Sequence, residues 1–165
     1  MYYFAYGSNM SSRRLLARVP SARSLGVAHL PGFEMRFAKQ SHDGSAKCTI
    51  IPNPSASTLG VVYHIPNDQR AVLDRIEGQG FGYDVCDIRI TTQSGRRVTA
   101  FTYLSEDTAE ILPAYTWYVE HVARGAREHG ITQQYIKKIE STHAIEDPNS
   151  GRHQFELSIY ATVES

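Results

Sequence analysis

The sequence predicts an α+β fold in which a meandering or barrel-like sheet is flanked by helices, and three observations carry that prediction. Four extended segments follow one another at 24–29, 33–38, 46–51 and 59–65, separated by breaks that contain Pro, Gly and Asn. Two more, at 83–92 and 97–104, are joined by a turn at Gln93-Ser94-Gly95-Arg96 and read as a hairpin. Apolar residues at helical spacing precede, interrupt and follow these segments, so helices pack around the sheet.

Taken in order, the aromatic residues 2–6 form a strand that empties into Gly7-Ser8-Asn9, residue types that tolerate turn geometry and bend the chain sharply. Ser11 or Ser12 then caps a short helix to Arg18, with Leu15, Leu16 and Val19 on one stripe and Pro20 as its stop. Arg13, Arg14, Arg18 and Arg23 make its outer side basic, the pattern of a solvated helix face. After the four extended segments, Asn67 or Asp68 caps a helix to about Glu77, with Val72, Leu73 and Ile76 as the buried stripe and Gly78 as the stop signal. Pro113 suits the first turn of a helix reaching His129, closed by Gly130, and Thr132 caps another reaching Ser141. Residues 146–153 read as a mobile loop. In the last stretch Phe155, Leu157, Ile159, Ala161 and Val163 alternate with polar neighbours, which predicts a half-buried strand at a sheet edge or a dimer contact.

Composition narrows the function classes. With 165 residues, 41% of them hydrophobic, the chain is expected to fold as one domain, 1–165, with a substantial core. Lys plus Arg and Asp plus Glu number 17 each, so no net field draws the protein to nucleic acid or to an anionic membrane. Cys48 and Cys86 are too few for a disulfide framework, no basic leader precedes the first apolar residues, and no apolar run has the length of a membrane span. The expectation is a cytoplasmic monomer or homodimer acting on a small molecule. Seven histidines do not gather into a metal-ligand spacing, since His121 and His129 stand eight apart, and no metal is expected. Cys86, flanked by Asp84 and Asp87, is a poor candidate for a nucleophilic thiolate.

The turn at Tyr6-Gly7-Ser8-Asn9 offers several backbone N–H groups around a concave bend, with a helix start beyond it, and such a nest suits a carboxylate or phosphate. Tyr3-Phe4-Ala5-Tyr6-Gly7-Ser8-Asn9-Met10 resembles the opening segment of the γ-glutamylcyclotransferase family. Further matches follow in the family's order: Gly60-Val61-Val62-Tyr63, then Leu73-Asp74-x-x-Glu77-Gly78 with Tyr83, then Pro113-x-Tyr115, Gly125-Ala126-x-Glu128-x-Gly130 and Tyr135. The resemblance implies a small mixed β-barrel or strongly curled sheet flanked by helices, with a cavity at one end for the glutamyl group. It also implies the activity: the γ-glutamyl part of a γ-glutamyl amino acid or amine closes on itself to 5-oxoproline and the amine is released, without a cofactor.

In such a reaction the substrate's own amine attacks its own γ-carbonyl, so what the protein must supply is orientation and proton transfer. Glu77 matches the family's catalytic glutamate and is the expected general base and acid. The negative end of a helix closing at Gly78, and burial among aromatic residues, both disfavour a charged carboxyl, which is the direction a base for an ammonium requires. Tyr6, Gly7, Ser8 and Asn9 are expected to hold the substrate's carboxylate or the developing oxyanion, and Tyr115 to orient the glutamyl end. Asp74, one turn before Glu77, more naturally pairs with Arg70 or Arg75. Tyr83 could line the pocket, but a tyrosine at a strand start more commonly packs, and it is left out of the expected site. Gln79-Gly80-Phe81-Gly82 suggests a flexible loop over the pocket. The competing reading is a binding or regulatory module on the same fold that carries out no turnover.

Overall fold

In a computed structural model, residues 1–78, 82–108 and 112–161 are described. Strands β1 (Tyr2–Ala5), β2 (Arg23–Gln40), β3 (Ala46–His64), β4 (Asp84–Thr92) and β5 (Arg97–Leu104) close into a barrel in the order β1-β3-β2-β4-β5. The pairings are antiparallel except that of β1 with β5, which meet in parallel at Tyr3 and Phe101. Helices α1 (Ser12–Arg18), α2 (Arg70–Glu77), α3 (Thr116–Glu128), α4 (Gln133–Glu140) and α5 (Ser150–Ser158) surround it. Two short strands, β6 (Ala114–Tyr115) and β7 (Ala144–Ile145), pair beside the barrel.

The four extended segments expected between 24 and 65 are two long strands. Where the β2–β3 register shifts between Pro31 and Phe33, Thr58 Oγ1 donates to the Phe33 carbonyl at 2.9 Å and satisfies a group that the shift would leave open. Pairing therefore continues through Pro- and Gly-rich sequence that reads as punctuation.

Two glycines fix how the site is assembled. A Cβ on Gly60 would lie 2.5 Å from the Ala5 carbonyl oxygen and 2.7 Å from the Phe4 ring, so β1 packs onto β3 only because no side chain is present there. A Cβ on Gly125 would lie 2.3 Å from the Ser11 nitrogen and 2.5 Å from the Met10 carbonyl carbon. Helix α3 thus presses directly on the turn that follows β1. Tyr63 donates to the Met10 carbonyl at 2.8 Å and holds that turn from the barrel side. The core runs from Phe4, Val61 and Ile90 in the barrel to Leu15, Val122 and Ile139 on the helices, all buried.

Helix placement differs from expectation in three places. On α2 only Leu73 is buried, and Val72 and Ile76 are exposed; the helix touches the barrel along one narrow line. Leu16 on α1 is exposed as well. Helix α3 starts at Thr116, and Tyr115 belongs to β6, because pairing of β6 with β7 claims residues 114 and 115 first.

The C-terminal stretch is a helix and not a strand over its described part. Asn149 caps α5, its side chain accepting from Arg152 N–H at 2.9 Å. The expected mobile loop at 146–153 accordingly contains the start of this helix. It is anchored by Asp147, which accepts from Trp117 Nε1 at 2.8 Å and from two guanidinium nitrogens of Arg152. Thr162 and Val163 lie outside the described residues, as do Gln79, Gly80 and Phe81 of the expected pocket loop.

Candidate active site

Glu77 is the last residue of α2, and Gly78 follows it in the left-handed conformation, φ 67° and ψ 45°, with its N–H bonded to Arg75. This stop turns the carboxylate toward the bend after β1. There Asn9 Nδ2 donates to Glu77 Oε1 at 2.9 Å and Arg18 Nη1 donates to the same oxygen at 3.0 Å. Arg18 Nη1 also reaches Asn9 Oδ1 at 2.9 Å, so the three side chains form a closed triangle. The other carboxylate oxygen, Oε2, has no partner among the described residues and is not sealed from solvent. One oxygen therefore fixes the group, and the other is left without a protein partner among the described residues.

Around Glu77 an inner cavity of about 30 Å³ is lined by Tyr3, Gly7, Asn9, Cys48, Tyr103 and Tyr118, with Tyr6, Ser8 and Tyr83 completing the wall. That is the volume of about one water molecule. It adjoins an outer cavity of about 270 Å³, and Ser8, Glu77, Tyr83 and Tyr118 line both. A roomier cavity of about 390 Å³ lies between β2 and α4 and contains none of the residues that carry chemistry in the motifs above. Chemistry, not size, selects the site at Glu77.

The turn itself is a short 3₁₀ segment, Ser8–Met10, in which Met10 N–H bonds back to the Gly7 carbonyl. As at any helix start, the first N–H groups, those of Ser8 and Asn9, have no partner within the segment. The ring of tyrosines above it divides by what each hydroxyl does. Tyr6 donates to the Tyr103 carbonyl, Tyr83 to the Cys48 carbonyl at 2.7 Å, and Tyr103 to Asp74 Oδ1. Tyr3 and Tyr118, in contrast, accept, from Asn9 Nδ2 at 3.0 Å and from Cys48 N–H at 3.1 Å; the Tyr3 proton is left for a ligand, and the Tyr118 hydroxyl also faces the Cys48 thiol. Burial pushes Tyr3, Tyr6, Tyr83 and Tyr118 well above the ordinary phenol range, so they act as donors and not as bases. Burial likewise pushes the Cys48 thiol up to about 12, so it is no nucleophile at neutral pH. Cys86 is raised by burial and by its two aspartate neighbours.

Tyr6, Gly7, Ser8, Asn9 and Glu77 thus meet at one cavity. Tyr115 does not: it lines neither space, and its hydroxyl donates to the Asp43 carbonyl at 2.8 Å. Tyr118, three residues later, reaches the turn instead. Asp74 pairs with Arg70 at 2.7 Å and accepts from Tyr103 behind the cavity wall, and itself lines neither cavity.

The sequence pattern of the AIG2-like family matches residues 57–139. γ-Glutamylcyclotransferases of Mus musculus and Homo sapiens are each 33% identical over 147 aligned residues, which take in 84% of this chain and 77% of theirs. The chain belongs to the γ-glutamylcyclotransferase (AIG2-like) family. A solved structure described as a gamma-glutamyl cyclotransferase superposes with a TM-score of 0.84, covering 90% of this chain and 91% of that one at 28% identity. Membership makes this an enzyme fold, and the closed barrel with flanking helices is the family's architecture.

Within this γ-glutamylcyclotransferase fold, sequence reasoning missed Arg18, which reads as solvated yet has a side chain only 22% exposed and an ion pair with Glu77. Arg14 is similar, its Nε donating to Ser8 Oγ at 3.2 Å and its Nη1 lying 3.0 Å from His121 Nε2. A usable signal existed: α1 begins directly after the turn, so a face shared by i and i+4 must run beside it. Tyr83, left out of the expected site, lines both cavities. No group of metal-ligating side chains occurs among the described residues, and none of their helices is long and apolar enough to cross a membrane.

Proposed function

We propose that this chain is a cytoplasmic γ-glutamylcyclotransferase, working as one unit over 1–165, that converts the γ-glutamyl part of a γ-glutamyl amino acid or amine to 5-oxoproline and releases the free amine. The observation that carries the reading is Glu77, with Oε1 held by Asn9 and Arg18 and Oε2 open at the junction of the two cavities. The substrate's α-carboxylate lies against the N–H groups of the Tyr6–Asn9 bend, with the phenols of Tyr3 and Tyr118 as further donors. Its α-ammonium then faces Glu77. Oε2 takes one proton from it, and the amine nitrogen attacks the γ-carbonyl carbon, forming the C–N bond of the five-membered ring. The ring nitrogen must then shed a second proton to become the neutral lactam N–H; as the original γ-amide C–N bond breaks, Glu77 passes the first proton to the departing nitrogen and takes the second, which ends on the freed amine as its ammonium, so charge and protons balance with no cofactor. Nucleophile and electrophile share one molecule, and holding them folded supplies several kcal/mol of the barrier.

The test is chromatographic detection of 5-oxoproline after incubation of wild type and Glu77→Gln with γ-glutamyl amino acids, γ-glutamyl amines and glutathione. Product from wild type and at least 100-fold less from the variant is expected. Absence of product from folded wild type with every compound assigns the site to ligand binding without turnover.

A further inference from the structure

The outer cavity is ringed by cations, and all but one of them have an anionic partner. Arg14 pairs with Glu156, Arg18 with Glu77 at 3.0 Å, and Lys47 with Asp43 at 2.7 Å. Lys39 differs. It sits on β2, only 7% exposed, with its ammonium 5.1 Å from the centre of the Tyr83 ring. The ammonium makes no hydrogen bond or ion pair with the described residues, yet the side chain lines the outer cavity beside Glu77 and Tyr83. An ammonium taken this far out of water with carboxylates only at a distance and none in direct contact is poorly compensated, so the position favours the arrival of an anion.

The order of the two spaces says which anion. The Tyr6–Asn9 bend lines the inner cavity, Glu77 stands at the junction, and Lys39 lines only the outer space. A γ-glutamyl compound with its α-amino-acid end at the bend and its amide at Glu77 must extend its leaving portion outward, past Tyr83, to Lys39. On the reading of the preceding subsection, we propose that Lys39 is the specificity residue for a carboxylate on that leaving portion, so that the chain prefers γ-glutamyl amino acids to γ-glutamyl amines. The Tyr83 ring flanks the ammonium on one side, and on its other side the ammonium meets the carboxylate in a water-poor setting, where a charge-assisted hydrogen bond is strongest. Burial pulls Lys39 downward in pKa, and the fields of Asp107, Asp43 and Glu77 pull it back up.

The test uses a matched pair, γ-glutamyl-alanine and γ-glutamyl-alaninamide, which differ only in that carboxylate. Wild type is expected to show kcat/KM about tenfold or more in favour of the acid, with Lys39→Met narrowing the preference to within about threefold and Lys39→Arg retaining most of it. Equal losses on both compounds in Lys39→Met would place Lys39 at the glutamyl end or in the fold and overturn the proposal, as would an unchanged preference. Calorimetric binding of both compounds to Glu77→Gln, with and without Lys39→Met, separates this inference from the catalytic reading. A Lys39-dependent binding preference in the absence of turnover by wild type supports the subsite and removes the cyclisation. Binding of neither compound overturns both.

Discussion

The two ends of the chain meet at α1 and are built in opposite ways. At the N-terminal end, Tyr3 to Tyr6 are buried, and the turn after them is held by α3, by Tyr63 and by the Asn9–Arg18–Glu77 triangle. At the C-terminal end, α5 has no buried residue, and polar contacts tie it down: Asp147 with Arg152, Glu156 with Arg14, and Tyr160 bridging His121 Nδ1 at 2.7 Å and Ser11 Oγ at 2.8 Å. The two ends touch through Arg14, which holds Ser8 on one side and Glu156 on the other. The difference teaches that an alternating pattern becomes a strand only where a sheet edge can receive it. Here the barrel is closed, so residues Ser150–Ser158 satisfy their own backbone as a helix and attach through side chains.

The predictions test this division of labour, from largest effect to smallest. Glu77→Gln should lower kcat/KM for 5-oxoproline formation by about 100-fold or more with unchanged circular dichroism, since only the proton carrier is removed. A loss below about tenfold would move the chemistry to another group. Gly125→Ala drives a methyl into the backbone of Met10 and Ser11, so it should destabilise the chain by about 1–3 kcal/mol in urea unfolding and displace the turn. A neutral result would mean that the N-terminal turn is not seated on α3.

Glu156 probes the other end. Burial works against its charge, but hydrogen bonds from His121 and Arg14 outweigh burial and hold it down to about 2. A carboxylate lowered on folding stabilises the native state above its unfolded pKa of about 4.3, and that contribution fades as pH falls toward about 2. Urea midpoints measured between pH 6 and 2 should therefore drop across this window in wild type and drop less in Glu156→Gln. Identical profiles would show that the Arg14–Glu156 contact does not hold α5. The smallest effect separates two neighbouring tyrosines: Tyr118→Phe should raise KM about tenfold. Tyr115→Phe should change kinetics threefold or less and cost about 1 kcal/mol of stability through the lost bond to Asp43. The reverse ranking would return the substrate contact to Tyr115.

The sequence by itself determined the elements whose cause is local. The strand 2–6 and its bend follow from aromatic residues ending in Gly-Ser-Asn, the stop at Gly78 from a residue that accepts positive φ, and the 83–104 hairpin from its turn. The same local patterns brought the Tyr6–Asn9 bend and Glu77 forward as candidates. What only the tertiary structure decided depends on which surface lies opposite. Val72 and Ile76 repeat at helical spacing yet face solvent, because α2 meets the barrel along the face of Arg70, Leu73 and Asp74. Arg18 looks like a solvated charge until the end of α2 arrives beside it from 59 residues away, and Lys39 looks like any strand lysine until the centre of the Tyr83 ring lies 5.1 Å from its ammonium. Spacing along the chain states how a segment can fold, whereas the partner of each side chain is set by the packing of segments that the sequence holds far apart.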